Sequence, residues 1–370
     1  MAKKIYKALG LMSGSSLDGL DIVYTSMQWE NGKISDWQLL AADTLSFSEK
    51  WHTRLLALPL QNGLVYAQTD MYLGYYFGAL VNQFIQKYKI QDIDFVASHG
   101  HTIYHDPDRR FTAQIGNGGA LAATISQDVI CDFRTQDVAL NGEGAPLAPL
   151  ADKYLFEGYD FYLNIGGIAN ISCNANGRWV AFDVCPANQV LNALANELEE
   201  AYDQDGALAR SGDVDSYLLE EIRRFDYYQQ VYPKSLGNGW IREQVLPVYE
   251  GIEIPIVNKL ATTCEHIAIE LTNSIIQIIE KEKLEKPTYK LLATGGGAFN
   301  GYLIECMQNA LDASAYKVDI IVPETEIVDY KEALLMALLG VLRCEGVANS
   351  LSTVTGADRD TINGAIYKAK

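Results

Sequence analysis

Three apolar, strand-like runs in this chain stop at clusters of glycine: residues 5–12 run into 14–19, 161–165 into Gly166-Gly167, and 290–293 into 295–297. Glycine has no Cβ to shield its main chain and tolerates positive φ, so consecutive N–H groups can converge on one anionic oxygen cluster. Ser15 and Ser16 add hydroxyl donors to the first turn. Taken singly, each turn is more often a plain hairpin or helix cap. Three in one chain, each after an apolar strand, bring a phosphate-cradling reading level with that ordinary one. None matches G-x-x-x-x-G-K-[ST] or G-x-G-x-x-G, so neither a Walker kinase nor a dinucleotide fold is supported.

Between these turns, strand-like and helix-like stretches alternate, which predicts an α/β fold. Met71, Phe77, Leu80, Val81, Phe84 and Ile85 recur at helical spacing and predict a long helix over 69–89. Residues 258–283 form the longest helical pattern, closed by Lys281, Lys283 and Pro287. Strands are predicted at 20–26, 94–98, 129–133, 168–173, 179–184 and 318–322. A helix opens near Asn300, and an apolar helix covers 331–344. The tyrosine- and turn-rich stretch 203–251 reads as an insertion of short helices and loops. Each half of the chain thus begins strand, glycine turn, strand, which predicts a duplicated architecture with the two turns facing one another across a cleft. A chain of 370 residues exceeds one ordinary core. We divide it after the Gly/Pro-rich stretch 142–149. Residues 1–150 form an N-terminal α/β domain joined by part of 345–370, and 151–344 form the second, with the later two glycine turns.

The net charge of −18, from 29 basic and 47 acidic side chains, argues against nucleic acid and anionic membrane as partners, because both need clustered Lys and Arg. A small anion held by backbone N–H groups and one or two arginines remains open. The six cysteines are scattered without a C-x-x-C pair, as reduced core cysteines are. The start lacks the apolar stretch of a signal peptide, and no run reaches the ~18 apolar residues of a membrane span. The expectation is a soluble cytoplasmic protein.

Several stretches in order carry a resemblance. They are Gly10-Leu-Met-Ser-Gly-Ser-Ser-Leu-Asp-Gly-Leu-Asp21, Ser98-His-Gly-His-Thr102, Gln114-Ile-Gly-Asn117, Asp132-Phe-Arg-Thr-Gln-Asp-Val-Ala139 and Gly142-Glu-Gly-Ala-Pro-Leu147. Asn164-Ile-Gly-Gly-Ile-Ala-Asn170, Phe182-Asp183, Gly295-Gly-Gly-Ala-Phe-Asn300 and Lys331-Glu-Ala333 follow. Across nearly its whole length the chain resembles the anhydro-N-acetylmuramic acid kinases of the actin/hexokinase-like superfamily. The resemblance implies two actin/hexokinase-like (ribonuclease H-like) domains, each with a central five-stranded sheet, around a central ATP cleft. It also implies a reaction: ATP and water convert 1,6-anhydro-N-acetylmuramic acid to N-acetylmuramic acid 6-phosphate in cell-wall recycling. For assembly it implies a homodimer.

Carried over residue by residue, the resemblance makes Asp183 the base that takes a proton from water; its competing role is a helix N-cap. Gly14, Ser15, Ser16, Leu17, Asp18, Gly19, Leu20 and Asp21 form the first phosphate turn. Asp18 orients Mg²⁺ or its waters, since octahedral Mg²⁺ favours few carboxylates plus phosphate oxygens. Asp21 reads equally as a strand-edge residue. Gly166 and Gly167 face the second phosphates, while Gly295, Gly296 and Asn300 border adenosine. His99, Arg134, Asp137 and Glu332 contact the sugar. The planar fork of Arg134 suits a lactyl carboxylate, with a salt bridge to Asp137 as the competing role. Glu332 equally complements a helix dipole. After the aspartate the family runs Thr-Gly-Pro-Gly-Asn, whereas this chain has Val184-Cys185-Pro186-Ala187-Asn188. That departure keeps two alternatives in play: a non-catalytic nucleotide- or sugar-binding sensor, and a kinase of another anhydro-sugar. His99, His101 and His105 offer a metal reading, which no flanking carboxylate cluster supports; the family carries glutamine where His101 stands.

Overall fold

In the computed structural model, which describes residues 3–14 and 17–369, contacts divide the chain into two units. One comprises Met1–Glu157 with Tyr330–Lys370, and the other Gly158–Asp329. Ser15 and Ser16 lie outside the described residues.

In the first unit, β1 (Lys4–Ser13), β2 (Gly19–Glu30) and β3 (Lys33–Ser46) form an antiparallel meander. β1 is buried on both faces, and Leu9 and Leu11 sit in the core, so the strand is central. On its other side β1 pairs in parallel with β4 (Phe95–Asp106). β5 (Phe111–Ile115) folds back on β4, and β6 (Val129–Cys131) runs parallel to it. The strand Ala365–Tyr367 closes the β6 edge, so this sheet has seven strands. The helix Gly63–Tyr88 packs Leu73, Phe77, Val81 and Phe84 into the core. Asn62 caps it through the Val65 N–H at 3.1 Å.

The helix Thr325–Glu345 explains a glycine in the sequence. A Cβ on Gly10 would lie 1.9 Å from the carbonyl oxygen of Ala333, so only glycine lets this helix cross β1 so closely. From Tyr330 onward the helix therefore belongs to the first unit, and the contacts break at 157/158 and 329/330 where the sequence reading had 150/151 and 344/345.

The second unit holds a five-stranded sheet. β7 (Phe161–Ile165), β8 (Ile168–Ala175) and β9 (Arg178–Pro186) form a meander, while β10 (Tyr289–Thr294) and β11 (Val318–Ile321) add in parallel beside β7. The order β11-β10-β7-β8-β9 makes β9 an edge strand. The helix Ile256–Glu282 lays Leu260, Cys264, Ile267, Leu271, Ile275 and Ile278 into the core. The stretch 203–251 is indeed short helices, including Ser216–Arg223 and a π-turn at Ile241–Val245. Both units thus open strand, glycine turn, strand. The five strands implied for each hold in the second unit; the first gains β5 and Ala365–Tyr367.

Candidate active site

Asp183 lies on β9 opposite Asn170 of β8, beside an irregularity in the ladder between Ala169 and Asn170. Its Oδ2 accepts the Leu236 N–H at 2.8 Å. Oδ1 takes no hydrogen bond among the described residues. Burial raises the carboxyl above its ordinary 3.8, partly offset by the Leu236 N–H. An oxygen left unengaged, on a carboxyl made more basic by desolvation, is what a general base requires. Asp183 is not the N-cap of the following helix, Asn188–Asn196; Ala187 occupies that position.

The departure from the family pattern turns inward. Val184, Cys185 and Ala187 are buried in the core of the second unit. Ala187 has φ −131°, outside the region that favours glycine. Burial also lifts the Cys185 thiol well above its usual range, so it stays protonated.

The glycine turns separate into those the fold demands and those it does not. A Cβ on Gly295, where φ is +82°, would lie 2.7 Å from Asn164 Oδ1 and 2.8 Å from the Ile165 carbonyl oxygen. At Gly166 and Gly167 the nearest contacts would be ordinary, 3.5 Å and 3.7 Å. The N–H groups of Ala187, Asn188 and Gln189 bond to the Gly166 and Gly167 carbonyls at 2.9, 3.0 and 3.1 Å and fix the turn from behind. Gly296 and Asn300 line a cavity of about 640 Å³ with Asn188, Tyr202, Asp205 and Phe299. That volume suits a nucleoside. The Asn300 side chain itself accepts the Leu303 N–H at 2.9 Å and caps the helix Gly301–Asp312.

In the first turn, Leu17 (φ +59°) and Leu20 are buried, so they can offer a ligand only main chain. A Cβ on Gly19 would lie 2.7 Å from the Leu45 carbonyl oxygen. Asp18 is exposed, and its Oδ1 accepts the Gly19 N–H at 3.0 Å. Asp21 Oδ1 accepts the Thr44 hydroxyl at 2.6 Å across the β2–β3 pair. Among the described residues no three His, Cys, Asp or Glu side chains are grouped to hold a metal. One exposed carboxylate fits Mg²⁺ carried on phosphates, which needs no protein cage.

Four expected sugar contacts lie in the first unit. Arg134 Nε donates to His99 Nε2 at 2.8 Å, and its Nη1 to the Gly144 carbonyl at 2.7 Å. Nη2 donates no hydrogen bond among the described residues, which leaves part of the fork for a ligand. His99 is neutral, its pKa held down at about 3 by burial and then by the Arg134 charge. Accepting at Nε2, it carries its proton on Nδ1, facing the Gly100 carbonyl at 3.0 Å. Glu332 reaches solvent, yet crowding by protein atoms raises its carboxyl, opposed by Arg134 and Lys331.

Asp137 is a correction. It is wholly buried, with Oδ2 on the Gly144 N–H at 2.8 Å and Oδ1 on the hydroxyls of Ser350 and Thr355 at 2.5 and 2.8 Å. It anchors the loop that meets Arg134, and no surface remains for a sugar. The alternative salt bridge to Arg134 is likewise not formed. Nor do the histidines converge: His101 Nδ1 pairs with Ser13 Oγ and His105 Nδ1 with Thr112 Oγ1, each at 3.0 Å.

Two α/β units, each opening strand, glycine turn, strand, give the fold class that the sequence resemblance implies. The family model "Anhydro-N-acetylmuramic acid kinase" matches residues 6–369. The anhydro-N-acetylmuramic acid kinase of Shewanella sediminis is 32% identical over 380 residues, covering 98% of each chain. Those of Aliivibrio fischeri and Pseudomonas syringae pv. syringae are 33% and 34% identical, each covering 98% of this chain and 99% of their own. The chain belongs to the anhydro-N-acetylmuramic acid kinase family. Among the described residues no helix is long and apolar enough to cross a membrane.

Proposed function

We propose that this chain uses ATP and water to convert 1,6-anhydro-N-acetylmuramic acid to N-acetylmuramic acid 6-phosphate, with Asp183 as the general base. The observation that carries this reading is the carboxyl itself, with Oδ2 tied to the Leu236 N–H and Oδ1 without a hydrogen-bond partner among the described residues. Water adds to the anomeric carbon as Oδ1 takes its proton. The bond from that carbon to O6 breaks, and O6 attacks the γ-phosphorus of ATP, expelling ADP. Arg134 Nη2 receives the lactyl carboxylate, with Glu332 on the sugar. The open glycines Gly166 and Gly167 and the first turn approach the phosphates, and the cavity at Gly296 and Phe299 takes adenosine. Mg²⁺, held through Asp18 or its waters, would neutralise phosphate charge.

The six cysteines are all unpaired, which supports a reducing compartment, so we place the enzyme in the cytoplasm in cell-wall recycling. The test is product mass after incubation with ATP. A product heavier than the anhydro-sugar by one phosphoryl group and one water, formed with ADP, supports the reading. ADP release without sugar, or equal turnover of anhydro-sugars lacking the lactyl group, contradicts it.

A further inference from the structure

We infer that Tyr227 is a positioning residue for Asp183, which rests on the reading of Asp183 as the base. β9 is an edge strand, so the outward main-chain groups of Asp183 have no neighbouring strand to pair with. A single short stretch, 227–236, supplies the partners instead. The Tyr227 hydroxyl donates to the Asp183 carbonyl at 2.6 Å, and the Asp183 N–H donates to the Lys234 carbonyl at 3.3 Å. The Leu236 N–H holds Oδ2 at 2.8 Å. N, O and Oδ2 of Asp183 are thereby fixed from one side, and Oδ1 alone stays unbonded among the described residues.

Tyr227 is itself immobilised. It is buried, and its ring lies 5.7 Å from that of Tyr228 and 5.8 Å from that of Trp240. Lys234 Nζ sits 4.6 Å from the Tyr227 ring centroid and donates to the Tyr227 carbonyl at 3.3 Å. The irregularity in the β8–β9 ladder at Ala169/Asn170 loosens the inner side of β9 at this point. The outer grip of Tyr227 therefore sets where Oδ1 aims. A base displaced by a fraction of an ångström loses much of its rate, so the hydroxyl acts on catalysis through Asp183.

Tyr227→Phe keeps the ring and removes only the hydroxyl. We expect kcat to fall about tenfold with both KM values within about twofold, and Tm to drop by only the few degrees that one lost buried hydrogen bond costs. In an Asp183→Asn background the same substitution should cost nothing further, because a positioning residue has no base left to aim. Wild-type kcat in Tyr227→Phe overturns the inference. So does the same fold-loss in the Asp183→Asn background, or a loss that appears only close to the lowered Tm and is recovered on cooling. Full turnover by Asp183→Asn alone would instead overturn the base assignment beneath it.

Discussion

Burial sets the chemistry of Asp183, and its sign can be worked out. Desolvation disfavours the carboxylate, so the group protonates at a higher pH than an exposed aspartate, above 3.8. The base must be ionised to accept a proton. Turnover should therefore fall as pH drops through that raised value, and the acid limb of the kcat profile should have its midpoint above 3.8. A limb at or below that value contradicts the assignment. The turn at Gly166-Gly167, proposed to face the phosphates, offers another residue-scale test. A Cβ on Gly167 meets nothing closer than 3.7 Å, so Gly167→Ala should leave Tm nearly unchanged. The methyl group would instead meet the nucleotide, and KM for ATP should rise about tenfold. A stability loss with unchanged KM would make the turn purely structural. Asp183 was legible in the sequence as a candidate, because a motif marks it. Tyr227 was not: it reaches Asp183 across 44 residues from a stretch that reads only as turns. Asp137 misled because its motif position says nothing of the hydroxyls of Ser350 and Thr355 that enclose it.

Legibility at the element scale follows burial. β7 lies where its apolar run predicts it, at Phe161–Ile165. β3 escaped the sequence reading because all but one of its side chains are half-buried or exposed, so no apolar alternation marks it. β5 and Ala365–Tyr367 are short and lean on their neighbours for definition. Two elements make opposite stability predictions. Gly10→Ala would push a methyl group into the Ala333 carbonyl, and should cost several kcal/mol or prevent folding, read as Tm or soluble yield. His266, on the helix Ile256–Glu282, is buried edge-on against Tyr228, with no hydrogen bond at either ring nitrogen among the described residues. Burial, then the Arg223 charge, lowers its pKa from 6.5 to about 3. The unfolded chain thus binds a proton that the folded chain refuses, and stability falls as pH drops from 6.5 toward 3. His266→Leu should hold or raise Tm at neutral pH and blunt its fall between pH 7 and 5. An equal fall in both proteins would show that His266 is not a source of the acid sensitivity.

The whole molecule carries a net charge of −18 and uses glycine turns, with few cations, where phosphates are proposed to bind. Its overall field repels ATP, and salt screens that repulsion. KM for ATP should accordingly hold or fall as ionic strength rises from about 20 to about 200 mM. A steep rise would instead indicate a Lys/Arg cluster at the phosphates. The duplicated strand–glycine turn–strand plan was visible in the sequence; the return of the chain at Tyr330 to the first unit was not, because it depends on one close helix crossing at Gly10. The most direct test of the account is ADP release at saturating ATP, with and without 1,6-anhydro-N-acetylmuramic acid, by wild type and Asp183→Asn. The account predicts sugar-dependent release by the wild type and a fall of about 100- to 10,000-fold in the variant, with ATP binding retained. Asp183→Asn turning over at the wild-type rate would contradict it.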